Sequence, residues 1–280
     1  MRKIIAAIDG LRPSTSTRDF AIELASKTKS LLVAVFLDDF GYNSYRIYDL
    51  ISEESVNITV QQEKLELKDA KTRSAAVADF EKACKTAGID YLIHHDQSFA
   101  IQELIRESIY ADLLVIDKSE TLTNHPEKPP TMFIRQLLAD AQCPVLVVPH
   151  VYTKMEKIIF LYDGDPSSVY AIKMFDYTFS SLLGTRSETL FVNQLPERIQ
   201  MPEDKLMKEF MDNHLPGTKY IVLHGDPEST ILRRLKKEEG STLVVLGAYK
   251  RSKVSRWFRP SMADILLEET KVPLFIAHNK

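Results

Sequence analysis

Two acids and one basic stretch are the residues of this chain best placed to do chemistry. Asp9 and Asp163 each close an apolar run with the same Asp-Gly pair, in Lys3–Gly10 (KIIAAIDG) and Lys157–Gly164 (KIIFLYDG). A Pro and a helical pattern follow each, so each acid is expected at the carboxyl end of a strand. In an open parallel sheet, ligands bind beyond that end, where the strand order reverses. A strand-ending turn is the plainer reading of both. Lys250, Arg251, Lys253, Arg256 and Arg259 set five positive charges in ten residues, after one strand-like run and before a helical one. Side chains of this kind can hold an anion, Arg bidentately. A solvated loop is again the plainer reading. Trp257 and Phe258 inside the cluster suit packing, a partner contact or stacking on a base.

The remaining reactive groups point to structure. His94 and His95 are adjacent on a strand and face opposite ways, so they do not converge on a metal. Cys84 falls in a helical stretch and Cys143 at the start of a buried strand, with no CxxC motif between them. Packing is the expected role of both. Ser14 to Thr17 read as a helix cap. No nucleophile–base pair and no metal-ligand spacing stands out, so no catalytic residue and no metal ligand is assigned, and a non-enzyme is expected.

The elements that must position these residues repeat. Besides the two openings, Asp112–Asp117 (DLLVID) matches Thr242–Gly247 (TLVVLG), and Cys143–Pro149 (CPVLVVP) matches Val272–Ala277 (VPLFIA). The offset falls from 154 residues at the first strands to about 130 at the last, the loss lying mainly between the second and third strands of the second copy. Strands are expected at 3–9, 31–37, 89–95, 112–117 and 144–149, then at 157–163, 188–193, 218–224, 241–247 and 273–278. Helices are expected at 14–29, 60–87, 99–110 and 131–141, then at 166–182, 202–214, 227–239 and 260–270. Continuous apolar strands of this length are those of a sheet covered on both faces. Alternation of five strands with four helices implies right-handed crossovers and a parallel, doubly wound sheet. The boundary is placed at His150–Met155, giving domains 1–150 and 151–280. Residues 38–60, with Gly41, Tyr42, Asn43, Tyr45 and Tyr48, read as a long loop or lid.

Composition agrees. The 280 residues are 44% hydrophobic and 27% charged, with a net charge of −3. This is the balance of a globular chain, long enough for two cores. The first 150 residues carry 17 basic against 22 acidic side chains, and the rest carry 19 against 17. Neither half has the basic excess of a nucleic-acid binder. No apolar run reaches the roughly 20 residues of a membrane span. A soluble, cytoplasmic chain is expected.

The paired openings, the Gly225-Asp226-Pro227-Glu228 step, the segment Leu243–Ile276 and the closing Gln136–Pro149 together resemble the universal stress protein family in its tandem form, over essentially the whole chain. The resemblance implies two tandem doubly wound α/β domains of the adenine nucleotide alpha hydrolase type, each a five-stranded parallel sheet of order 3-2-1-4-5. It implies a regulatory or protective role in stress response, through ligand or partner binding. In such sheets the last strand is an edge, so the two copies are expected to pair these edges as an internal pseudo-dimer, with Val147 close to Phe275 or Ile276. A homodimer remains a further option.

Nucleotide-binding members of the family carry a glycine, two residues, a second glycine, nine residues, and a third glycine followed by Ser or Thr. Glycines there let the backbone approach phosphate and open a helix onto the anion. Here Gly247 matches the first and Ser261 the hydroxyl residue, but Lys250 and Pro260 replace the other two glycines. The first half starts the same stretch at Asp117, has no glycine up to Thr131, and brings Glu120 and Pro129-Pro130 into it. The resemblance therefore implies a lost phosphate site in the first half. In the second it leaves candidate ligand residues Asp163, Gly247, Lys250, Arg251, Arg256 and Ser261, with Asp9 the first-half counterpart. ATP or another adenine nucleotide is the cofactor it admits, in the C-terminal half. A small phosphorylated ligand or a protein is the expected partner, with weak nucleotide hydrolysis as an alternative activity.

Overall fold

Apolar runs and caps decide the elements. The computed structural model describes residues 2–38, 42–45, 58–97, 99–179, 186–195, 200–238, 241–248 and 261–278. The first half comprises β1 (Lys3–Asp9), α1 (Thr15–Thr28), β2 (Leu31–Asp38), α2 (Ile58–Ala87), β3 (Tyr91–Gln97), α3 (Ala100–Ser108), β4 (Leu113–Asp117), α4 (Met132–Asp140) and β5 (Val145–Val148). The second comprises β6 (Lys157–Leu161), α5 (Pro166–Phe179), β7 (Arg186–Asn193), α6 (Asp204–His214), β8 (Lys219–His224), α7 (Pro227–Leu235), β9 (Thr242–Gly247), α8 (Met262–Glu269) and β10 (Leu274–Ala277). The expected elements are all present, with ends moved by a few residues where helices fray.

Capping explains where the helices begin. The Ser14 hydroxyl accepts from the Thr17 amide at 3.2 Å and starts α1. Asp226 accepts from the Ser229 amide at 3.0 Å, with Pro227 in the first helical turn of α7. Ser261 and Asp264 form a reciprocal capping box at α8. Each such cap satisfies an amide that the first turn cannot.

The strands form one ten-stranded sheet in the order β3-β2-β1-β4-β5-β10-β9-β6-β7-β8. Each half is thus a parallel sheet of order 3-2-1-4-5. The two meet at β5 and β10, which pair antiparallel, whereas every other pair among the described strands is parallel. Val147 stands opposite Leu274, with Leu146 opposite Phe275, so the expected pairing of the edges is present and shifted by one residue. Pairing each last strand with the other removes two apolar edges that would otherwise invite association.

Side chains alternate between two cores. Ile4, Ala6 and Ile8 pack under α1 and α2, and on the same face Phe160 and Phe275 pack under α5. Ile5 and Ala7 face the other layer, with α3, α4, α7 and α8. The first core runs without a break across the junction. The Phe275 ring meets those of Phe175 and Phe179 edge-on, at 5.3 and 5.8 Å between centroids. Among the described residues no helix is long and apolar enough to cross a membrane.

Candidate functional site

Asp9 and Asp163 occupy matching places at the ends of the two first strands, yet their surroundings differ in kind. Asp9 is buried, 1% exposed. Its Oδ1 accepts from the amides of Leu11 at 2.7 Å and Arg12 at 3.1 Å. Its Oδ2 accepts from the Tyr42 hydroxyl at 2.6 Å and from Arg12 Nε at 3.3 Å. The four lone-pair sites of a carboxylate are therefore taken up within the chain. The Arg12 guanidinium lies 5.4 Å from the centre of the Tyr42 ring, and its Nη2 donates to the Thr123 carbonyl at 2.7 Å. Asn124 Nδ2 donates to the Asn43 carbonyl at 2.9 Å. Tyr42 thus fastens its segment over the end of β1, and Asn43 and Arg12 tie the β4–α4 loop to it.

That loop is itself closed. Glu120 is buried, and its Oε1 accepts from the amides of Thr121 and Leu122, each at 3.0 Å. Burial pushes the Glu120 carboxyl up to about 7, and the negative charge of Asp9 pushes the same way. Thr131 caps α4 through the Ile134 amide and donates its hydroxyl to the Glu120 carbonyl. Asp117 stands where the family pattern has a glycine. It is buried and accepts from the Ser14 hydroxyl at 2.8 Å and from the Ser119 amide and hydroxyl at 2.9 and 2.6 Å.

The second half is open at the corresponding acid. Asp163 is exposed and accepts from the Asp165 amide at 2.9 Å. Gly247 ends β9 against the start of α5. A Cβ there would lie 2.3 Å from the Ser167 carbonyl oxygen and 2.8 Å from the Ser168 amide nitrogen. Close backbone packing by itself accounts for this glycine. The Ser261 hydroxyl is engaged by the Asp264 amide at 3.2 Å, so its cap and its availability to a ligand compete. Lys250, Arg251 and Arg256 lie outside the described residues, as do Trp257, Phe258 and the lid positions Gly41 and Tyr48.

The histidines and cysteines behave as packing groups. His94 Nδ1 lies 2.7 Å from Glu107, and the His95 ring stacks on Phe36 at 5.3 Å. Against the opposing effect of burial, hydrogen bonds from Lys3 and His94 hold the Glu107 carboxyl below its usual range. Cys84 is buried, and the cost of charging a thiol there pushes it up to about 11. Among the described residues no group of three potential metal ligands gathers.

Four contributors were not apparent in the sequence. Tyr42 and Arg12 close over Asp9. Lys118 reaches across the junction, its Nζ donating to the carbonyls of Leu267 at 2.9 Å and Thr270 at 2.8 Å at the end of α8. A cation there satisfies terminal carbonyls and complements the helix dipole. Arg135 of α4 meets Asp264 at the other end of α8, at 3.6 Å. No periodicity links positions so far apart. The only cue was a tyrosine-rich loop of unassigned structure.

Residues 155–278 match the universal stress protein family. None of the curated proteins matches the chain by sequence. Over 99% of its length, the chain superposes on 96% of a universal stress protein from Archaeoglobus fulgidus, at 12% identity and a TM-score of 0.69. It covers 93% of a protein from Pseudomonas aeruginosa provisionally described as a universal stress protein, at 14% identity and a TM-score of 0.60. A functionally unknown protein from Pseudomonas aeruginosa gives 14% identity and a TM-score of 0.61, with 99% of this chain and 92% of that one covered. At such identities the likeness is one of fold, and it extends over both halves. The universal stress protein family is thus matched over residues 155–278, and the whole chain carries the fold of the universal stress protein on which it superposes.

Proposed function

We propose that this chain is a non-catalytic regulatory or protective protein of the stress response, acting by binding a ligand or partner through its second half. One contrast carries the reading. Asp9 is saturated by donors from its own chain, whereas Asp163 keeps an exposed carboxylate at the matching place. The first half then serves as a closed scaffold. Its buried acid Asp117, and Glu120 when ionised, also oppose any phosphate, because like charges close together in a dry site repel.

A second reading has the C-terminal half bind ATP, another adenine nucleotide or a different anion. Asp163, Gly247 and Ser261 would form its described edge, and Lys250, Arg251 and Arg256 would supply charge. The exposed Asp163 and the basic composition of 250–259 favour it. Against it, Gly247 has a packing reason to be glycine.

Mass spectrometry of small molecules released from the denatured full-length protein tests both without a guess at the ligand. Titration calorimetry with ATP then gives the stoichiometry. The first reading expects no turnover and at most one nucleotide per chain, lost on Asp163→Ala. Two equivalents per chain, or turnover abolished by Asp163→Ala, would overturn it.

A further inference from the structure

The internal repeat allows one half to be read against the other at places away from the strand-end acids. In the first half Gly10 is covered by α2. A Cβ on Gly10 would lie 3.1 Å from Arg73 Cγ. Arg73 is held there by the Tyr42 carbonyl and by Asp38, each at 2.9 Å. The helix that carries it is 30 residues long. Gly164 is the matching glycine, but α6 has only 11 residues and begins at Asp204. Pro202 covers Gly164, where an added Cβ would lie 2.9 Å from Pro202 Cβ, and beyond it a groove of about 480 Å³ remains between α5 and α6.

The walls of this groove are chemically specific. Tyr162, Tyr170 and Phe210 supply rings, and Val169 and Met207 supply aliphatic surface. Lys173 is the cation of the lining. It is half-buried and makes no ion pair with any described residue. Glu203, the acid of the lining, is exposed, so its charge is screened by solvent. The volume falls in the range of roughly 300–1,000 Å³ usual for small-molecule sites, in which an apolar lining surrounds a few polar groups.

We propose that this groove binds a small aromatic carboxylate, its ring among Tyr162, Tyr170 and Phe210 and its acid group on Lys173. Stacking and edge contacts favour a flat ring over an alkyl chain here. The Lys173 ammonium selects an anion over a neutral isostere. The site does not use the Asp163 carboxylate, so it stands or falls independently of the proposed strand-end site.

The probe is 2-naphthoate, with neutral 2-naphthalenemethanol as its partner, added to full-length protein carrying ¹³C-methyl methionine. One equivalent of naphthoate is expected to bind and to shift the Met207 methyl resonance. The neutral compound is expected to bind roughly tenfold more weakly, the loss of one charge-assisted contact. Lys173→Met should reduce naphthoate affinity by about the same factor and leave the neutral compound unchanged. Val169→Trp should fill the groove and abolish binding of both, with an unaltered melting temperature showing that the variant folds. Asp163→Ala, which takes a negative charge away from beside Tyr162, should not weaken naphthoate binding. An unmoved Met207 resonance at about 1 mM probe, a weak regime on the affinity scale, would overturn the proposal. So would naphthoate binding that survives Val169→Trp or is indifferent to Lys173→Met.

Discussion

The Tyr42 hydroxyl donates to Asp9 Oδ2 at 2.6 Å, joining a loop tyrosine to the acid that ends the first strand. This bond turns a strand-end carboxylate of the kind that meets ligands into a buried structural group. Tyr42→Phe would leave Asp9 buried with one donor fewer, a loss of about 1–3 kcal/mol when an acceptor stays unsatisfied. Urea unfolding of the full chain measures it. A change near zero would mean that water replaces the hydroxyl and that the closure is not tight.

Glu120 makes stability depend on pH in an unusual direction for a carboxylate. Its ordinary value is 4.5, and in the folded chain it is pushed up to about 7 by burial and by Asp9. The folded state therefore binds the proton more tightly than the unfolded state. Its stabilising effect is complete below about 4.5 and is lost as pH rises through about 7. The loss is on the order of 3 kcal/mol. Glu120→Gln keeps an oxygen to accept from the Thr121 and Leu122 amides and removes the charge. The variant should be more stable than the parent at pH 8 and should show a flatter dependence between pH 5 and 8, read from urea midpoints.

Gly247 separates packing from ligand binding. Gly247→Ala sets a Cβ 2.3 Å from the Ser167 carbonyl oxygen, which forces β9 and α5 apart. Destabilisation of about 1–3 kcal/mol or more follows from such overpacking. It should appear in thermal unfolding with no ligand present. A fully stable Gly247→Ala protein would return this glycine to a ligand role.

Val147 and Leu274 face each other across the antiparallel junction. Opposed residues in such a pair have Cα atoms about 4.5–5.5 Å apart, within the span of a disulfide. In a chain carrying Val147→Cys and Leu274→Cys, with Cys84 and Cys143 replaced by Ala, oxidation should join the halves. Two free thiols would disappear, and the band would shift on a non-reducing gel. Val147→Pro, by removing a ladder donor in what has become an interior strand, should cost about 3 kcal/mol or more.

Lys118 couples the halves by another route, from the end of β4 to the last carbonyls of α8. Lys118→Met leaves both carbonyls to other partners and is expected to cost about 1–2 kcal/mol. Hydrogen exchange should show the loss as faster exchange of α8 amides, with β1 and β2 unaffected.

Much of this molecule is local in origin and so was legible in one dimension. Apolar runs of strand length, Asp-Gly endings and capping residues such as Ser14, Asp226 and Ser261 act over a few positions. Their repetition marked out the two halves, while the order 3-2-1-4-5 within each and the pairing of the last strands followed from the family resemblance. The one-residue shift at that pairing, Val147 against Leu274, was not legible, because the packing of both cores sets the register. The replacement of glycines in the phosphate stretch was also plain in the sequence, as was the repulsive chemistry of Glu120. What only the tertiary structure decided is how each acid is used. Asp9 and Asp163 sit in nearly the same local sequence, and their difference comes from residues distant along the chain: Tyr42 closes on one, and nothing comparable among the described residues covers the other. A hydrogen bond between side chains 33 positions apart has no period and no spacing rule. It exists because the sheet and helices bring the two groups within 2.6 Å in a site that excludes water.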